Sequence, residues 1–307
     1  MKEYIGNVCL DLNDYEGVDK YSDGPIEDEL LEIVQTVDKA EYMRIVEEKQ
    51  SWPLLYHLSE QRWNIIESIP MESNDHVLEI GAGCGAITGA LAQKAGQVTC
   101  IELSKKRSLI NAYRNREKDN IEIKVGNFKS VHKNLQKKYD IITLIGVFEY
   151  AQSYIDSENP FVDFLKMIEG HLAEHGRIII AIENKYGLKY WAGCREDHVN
   201  TFFSGLEGYP GTDRARTFGK DRLEELLKTA GLGDVKFFYP YPDYKFVMRI
   251  YSDEYLPQKG ELINNMRNYD NDRMYLFNEE MVYDSLIEDK MFPFFSNSYL
   301  AVARREG

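Results

Sequence analysis

Apolar positions fall into two rhythms along this chain. From residue 76 onward, short unbroken apolar runs alternate with stretches in which apolar residues recur every three or four positions. Unbroken runs of four to eight residues rich in Ile, Val and Leu read as buried strands, and the longer periodic stretches as amphipathic helices. The predicted order is strand 77–80 (VLEI), helix 86–95 closed by Gly96, strand 97–103, helix 104–116 capped by Ser104, and strand 121–128. A fourth strand opens 140–150, a helix spans 161–176 and ends at Gly176, and a fifth strand covers 177–184. Helix 221–232, strand 235–240 and a closing strand within 296–305 complete the series. Such alternation predicts an α/β fold, doubly wound, with a mostly parallel seven-stranded sheet.

Three regions break the rhythm. Residues 26–49 and 54–69 carry helical spacing ahead of the first strand, so 1–50 reads as an acidic, largely helical N-terminal extension and 51–307 as the main domain. Residues 185–218 and 241–295 show no sustained period and are rich in Gly, aromatic and charged residues. Loops of this length after the fifth and sixth strands are expected to serve substrate binding or to act as a lid.

Composition narrows the function classes. The net charge is −14 and 43% of the residues are hydrophobic. An acidic protein offers phosphates no broad cationic face, so nucleic acid is not an expected partner. The charge is uneven: residues 1–50 hold fourteen acids against five bases, a net of −9, and residues 103–138 hold eleven bases against three acids, a net of +8. The basic stretch reads first as a solvated helix face opposite the acidic extension, with an anionic substrate as the alternative. No apolar run approaches the roughly 20 residues of a membrane span. The four cysteines form no CxxC pair, and the N-terminus carries acids where a signal peptide would be apolar. Reduced thiols and a cytoplasmic location are expected.

The chemistry concentrates in HVLEIGAGCGAITGALAQ, residues 76–93. A strand meets Gly81, Gly83 and Gly85 and then a helix start, which converges backbone N–H groups and a positive dipole end on one point. Gly81-x-Gly83-x-x-Ala86 alone satisfies a loose dinucleotide pattern. The wider context, Glu79-x-Gly81-x-Gly83-x-Gly85 followed by Glu102 at the end of the next strand, resembles class I S-adenosylmethionine-dependent methyltransferases over about residues 50–240. That resemblance implies the Rossmann-like methyltransferase fold and S-adenosylmethionine as cofactor, leaving S-adenosylhomocysteine as product. It implies that Glu79, Gly81, Ala82, Gly83 and Gly85 lie against the cofactor, that Glu102 accepts both ribose hydroxyls, and that Leu103 flanks the adenine. Asn127 would accept from the adenine amino group, where the family often has Asp, and Phe128 would cover the ring. Gly146 and Val147 stand where the family's fourth motif lines the cofactor. Arg62, beside Tyr56 before the first strand, could meet the cofactor carboxylate.

For the acceptor, [ND]PP[YFW] is missing from the end of the fourth strand, where Gly146-Val147-Phe148-Glu149 stands, and there is no Pro-Cys nucleophile. The glycine turn is also similar to that of ribosomal RNA adenine dimethylases, but the missing motif and the acidic charge argue against them. The stretches 52–62, 183–198 and 213–231 resemble methyltransferase modules of bacterial surface-glycan gene clusters, which implies O-methylation of a sugar or glycan intermediate. His198, beside Glu196 and Asp197, is the first candidate base and Glu149 the second. Tyr150, Asn184, Tyr186, Tyr190 and Trp191 are the candidate acceptor-binding residues. His171 and His175 are spaced like a helical metal pair without a third ligand, so no metal is expected. Two rivals remain: a methyltransferase of a small metabolite or protein side chain, and a non-catalytic module whose extension 1–50 recruits a protein partner or a second copy.

Overall fold

The computed structural model describes residues 1–265 and 272–306; residues 266–271, inside the expected insertion 241–295, and residue 307 lie outside the described residues. The chain divides into two compact units, residues 1–144 with 171–176 and residues 145–170 with 177–307.

The first unit opens with β1 (Lys2–Ile5) and β2 (Val8–Asp11), an antiparallel hairpin pairing Ile5 with Val8 across Gly6-Asn7. Gly6 has φ +58°, and its missing Cβ would meet the Arg116 carbonyl oxygen at 2.3 Å, so this turn requires glycine. Helices α1 (Ile26–Thr36), α2 (Tyr42–Lys49), α3 (Trp52–Leu58) and α4 (Asn64–Glu67) follow. The expected helix 54–69 is thus broken, because Ser59 starts a separate 3₁₀ turn by accepting from Gln61 N–H. Leu30, Ile33, Val34, Ile45, Val46, Leu54 and Leu58 form one buried cluster with Ile110 and Cys84. Each such side chain contributes about 1.5–3 kcal/mol by leaving water.

Then come β3 (His76–Ile80), α5 (Thr88–Lys94), β4 (Gln97–Glu102), α6 (Lys105–Arg114), β5 (Ile121–Val125), α7 (Phe128–Val131) and β6 (Tyr139–Ile145). Strands β5, β4, β3 and β6 lie side by side and parallel, and β2 joins parallel to β5. Strand order 3-2-1-4 in this run is that of open α/β sheets whose ligands bind beyond the carboxyl ends of the strands. The extension is therefore not helical throughout, since its first eleven residues complete the sheet.

The second unit holds α8 (Ala151–Tyr154), α9 (Pro160–Glu169), the main part of β7 (Leu172–Glu183), α10 (Leu188–Trp191), α11 (Lys220–Thr229), β8 (Leu232–Tyr241), β9 (Arg249–Ser252), α12 (Glu279–Glu288), α13 (Phe292–Phe295) and β10 (Ser298–Arg305). β10 runs antiparallel between β7 and β8, and β9 pairs antiparallel with β8. Among the described residues there are ten strands rather than seven; β1, β2 and β9 are the additions. The expected helix 161–176 ends at Glu169, because Gly170 closes it and Leu172 already belongs to β7. His171 and His175 therefore share no helix. No helix among the described residues is long and apolar enough to cross a membrane, and all four cysteines are free thiols.

Candidate functional site

The expected site residues divide between the units. In the first, the apolar run of β3 ends at Ile80 and the chain turns through Gly81, Gly83 and Gly85 with φ +72°, +54° and +75°. All three lie in the left-handed region that favours glycine. A Cβ on Gly85 would meet Asn111 Oδ1 at 2.3 Å, and one on Gly83 would meet Arg107 Nη2 at 3.3 Å. Glu102, the last residue of β4, is buried beneath this turn. Its Oε2 accepts from Gly83 N–H at 2.8 Å and its Oε1 from Ser104 N–H at 2.9 Å. Each carboxylate oxygen has a second lone pair, so both remain able to accept from a ribose diol.

Glu79 points elsewhere. Its Oε2 accepts from Thr88 Oγ1 at 2.6 Å and lies 3.4 Å from Cys100 Sγ. Burial pushes its pKa up to about 7, Thr88 and Cys100 oppose the rise, and the charge of Glu102 adds to it.

Arg107, which the sequence reading passed over, lies against the turn. Its guanidinium is 3.5 Å from Asp23, 3.7 Å from Glu27 and 4.9 Å from the Tyr21 ring centre. Its Nε is buried without a hydrogen-bond partner. A buried orphan donor beside a glycine cradle fits a ligand bearing a carboxylate, as the methionine end of S-adenosylmethionine does. A signal was available: Lys105, Lys106 and Arg107 put three cations in the first turn of a helix, against its dipole. The extension offsets this. Asp19 accepts from Lys105 N–H, Lys106 N–H and Ser104 Oγ, while Lys106 reaches Asp28 at 2.6 Å and Lys105 lies 3.6 Å from Glu3. The −9 and +8 stretches thus complement each other within this unit.

Several other residues have local partners. Arg62 stacks on Tyr56, 4.2 Å from its ring centre, and donates to its hydroxyl at 3.2 Å. Asn127 caps α7 by accepting from Lys129 N–H, and Phe128 is buried and stacked on His132. Leu103 is half-buried and Ala82 buried. His57 Nε2 stands 3.5 Å from Asp23. Burial alone would raise the Cys84 thiol, but His57 and Arg107 beside it bring its pKa below the ordinary value.

The second unit gathers a buried charge cluster. Glu149 follows the end of β6, Glu183 ends β7, and His198 lies in the loop after α10. His198 Nδ1 lies 2.9 Å from Glu196 Oε1; its Nε2 is 3.5 Å from Glu149 Oε1 and 3.8 Å from Glu183 Oε2. Glu196 is fixed by His198 N–H, Val199 N–H and the Tyr209 hydroxyl. The Arg216 N–H holds the Glu149 carbonyl at 2.9 Å. Lys245 pairs with Glu183 at 2.6 Å and with Asp197, which also takes Lys189 at 2.9 Å and the Tyr190 hydroxyl. Burial would lower the His198 pKa, yet Glu183, then Glu149 and Glu196, hold it well above the imidazole norm. The imidazole is thus held in its charged form, a donor rather than the proton acceptor expected of a base. Burial, opposed by His198 and reinforced by Glu183, raises the Glu149 carboxyl above its usual range.

Of the expected acceptor residues, Tyr150 lies edge-on to His198 at 5.4 Å and Tyr190 joins through Asp197. Asn184 does not join them: it is fully buried, donating to the Phe294 and Ser296 carbonyls and accepting from Tyr186 N–H. Tyr186 stacks on Phe294, and Trp191 is 43% exposed with Phe295 at its edge. Gly146, φ +68°, lies under the Tyr244 hydroxyl, 2.8 Å from where a Cβ would be, and Val147 is half-buried. Glu183 and Lys245 were missed. Only Glu183 left a trace, as a charge at the carboxyl end of the apolar run RIIIAI.

Residues 78–178 match a methyltransferase-domain family. Small-subunit ribosomal RNA methyltransferase A of Borreliella burgdorferi (strain ZS7) is 28% identical over 146 residues, 46% of this chain and 51% of its own. The protein of the same name in Borrelia garinii subsp. bavariensis is 31% identical over 135 residues, 43% and 48% of the two chains. The chain thus spans about half the length of the curated relatives it matches. Among solved structures, Haemonchus contortus phosphoethanolamine N-methyltransferase 1, in complex with phosphoethanolamine and S-adenosylhomocysteine, superimposes with a TM-score of 0.50 at 15% identity, covering 94% of this chain and 50% of that one. The chain carries a methyltransferase domain of the class I, Rossmann-like kind. The cofactor of that class is S-adenosylmethionine.

Proposed function

We propose that the protein is an S-adenosylmethionine-dependent O-methyltransferase acting on a hydroxyl of a sugar or glycan intermediate. The glycine turn with Glu102 supports the cofactor half of this reading. The acceptor half is carried by one observation: an imidazole held by carboxylates on both nitrogens, buried at the carboxyl ends of two sheet strands.

The first unit would hold the nucleoside through the N–H groups of residues 81–85 and the carboxylate of Glu102, with Arg107 available to the cofactor carboxylate. S-adenosylmethionine supplies an activated methyl group on a sulfonium. Methyl transfer would break the S–CH₃ bond, the electron pair staying on sulfur, and would form an O–CH₃ bond from an oxygen lone pair. The acceptor's proton must leave with that step. Glu149 Oε2, buried without a hydrogen-bond partner, is the acceptor we assign to it. His198 donates toward Glu149 Oε1 and steadies its charge. Tyr150 and Tyr190 offer rings and hydroxyls suited to a sugar.

Calorimetric titration with S-adenosylmethionine and with NAD tests the cofactor; binding of NAD alone overturns the reading. Labelled cofactor offered with sugar hydroxyls, small amines and small-subunit ribosomal RNA tests the acceptor. Turnover on the RNA alone would favour the activity named for the curated relatives. Glu149→Gln is expected to reduce kcat about 100-fold or more with cofactor affinity within twofold.

A further inference from the structure

We infer that Glu149, Glu183 and His198 form a binding site for one divalent metal cation. One oxygen of each carboxylate and one imidazole nitrogen lie within 4.8 Å of one another. Bonds of about 2.0–2.2 Å from oxygen and nitrogen ligands to a common ion place neighbouring ligand atoms roughly 3 to 3.5 Å apart. The observed 3.5 Å from His198 Nε2 to Glu149 Oε1 and 3.8 Å to Glu183 Oε2 are near that spacing, and the two carboxylate oxygens, within 4.8 Å of each other, would draw together on binding.

Three further observations point to an ion. Glu183 Oε2 is buried without a hydrogen-bond partner, a costly state for a carboxylate unless a cation or donor meets it, and Glu149 would ligate through Oε1 and keep Oε2 for the acceptor's proton. The remaining imidazole nitrogen, Nδ1, bonds to Glu196, which fixes the ring with Nε2 aimed at the two carboxylates. That carboxylate–histidine arrangement behind a ligating nitrogen is the usual support of a metal-bound histidine. The charge balance agrees. Glu149, Glu183, Glu196, Asp197 and Asp243 bring five negative charges against two positive ones from Lys189 and Lys245, an excess that a divalent ion would reduce on taking the place of the proton at His198 Nε2. Lys245 occupies Glu183 Oε1 and leaves Oε2 for the ion.

Two carboxylates and one imidazole, without a thiolate, suit Mn²⁺, Fe²⁺ or Zn²⁺ rather than a soft copper site. The ring of His198 is 6% exposed, so the site is nearly closed by protein. Its use in catalysis rests on the O-methyltransferase reading: an acceptor hydroxyl bound to the ion would be more acidic and would give up its proton more readily to Glu149 Oε2.

The test reads binding directly. The full chain, stripped with chelator, is titrated with Mn²⁺ while the six-line spectrum of free Mn²⁺ is followed, and calorimetry with Zn²⁺ runs alongside. One bound ion per chain is expected. Stoichiometric binding should vanish in Glu183→Gln and in Glu149→Gln, and weaken roughly 10–100-fold in Glu196→Gln. Unchanged circular dichroism and S-adenosylmethionine affinity would show that these variants fold. Absence of binding by either ion, or binding unaltered in the folded variants, overturns the site. Ion binding without turnover on any hydroxyl acceptor would overturn the acceptor reading and leave the site standing.

Discussion

Replacing Glu79 by Gln should stabilise this protein at pH 8 and do nothing for it at pH 4.5. The unfolded carboxyl titrates near its ordinary 4.5, whereas burial holds the folded one at about 7. Below pH 4.5 both states keep the proton and the group is silent. Between 4.5 and 7 the unfolded state loses its proton while the folded state retains it, so stability falls as pH rises through that window. The gap of about 2.5 units corresponds to a penalty of about 3 kcal/mol above pH 7. Glutamine cannot ionise and its amide oxygen can still accept from Thr88 Oγ1, so it escapes most of that penalty. Urea denaturation of both proteins at pH 5 and pH 8, without cofactor and in low salt, measures the difference. The reasoning fails if Glu79→Gln is no more stable than the parent at pH 8, or if its advantage is the same at both pH values.

Asp19→Ala removes an acceptor from two amides at the start of α6 and should lower stability by about 1–2 kcal/mol, read as a drop in Tm. Gly85→Ala forces a side chain into a backbone with φ +75° against Asn111, so it should cost about 1–3 kcal/mol. Its cofactor affinity, measured by calorimetry on the folded fraction, should fall with it. Arg107→Met keeps the stem but removes the charge facing Asp23 and Glu27. S-adenosylmethionine affinity should drop about tenfold, and an unchanged affinity would take Arg107 out of the cradle.

The alternation of β3 to β6 was legible because each element has its own period, and the glycine turn because only glycine takes its φ values. Two failures have physical causes. Leu172 continues the spacing of Phe161, Leu165 and Ile168, so periodicity alone extends α9 past the Gly170 that stops it. The hairpin at the N-terminus carries a Gly6-Asn7 turn signal between two runs of only four residues, too short to show a period. In the site, Glu102 was visible from its strand end. Arg107 and Glu183 left local traces, in a helix start crowded with cations and a charge ending an apolar run, but their partners, like those of Lys245, come from distant positions that no local pattern encodes. The same reason explains Asn184: polar and next to a strand end, it turned out to bond the backbone of residues 294–296.

The β1–β2 hairpin has a bearing on solubility. By pairing with β5 it occupies a border of parallel strands that would otherwise offer open N–H and C=O groups to any neighbouring molecule. What it presents outward is a four-residue strand that includes Lys2 and Glu3, too short and too charged to recruit another copy. A chain trimmed of its first twelve residues would keep its glycine turn and yet be prone to stacking edge to edge into aggregates.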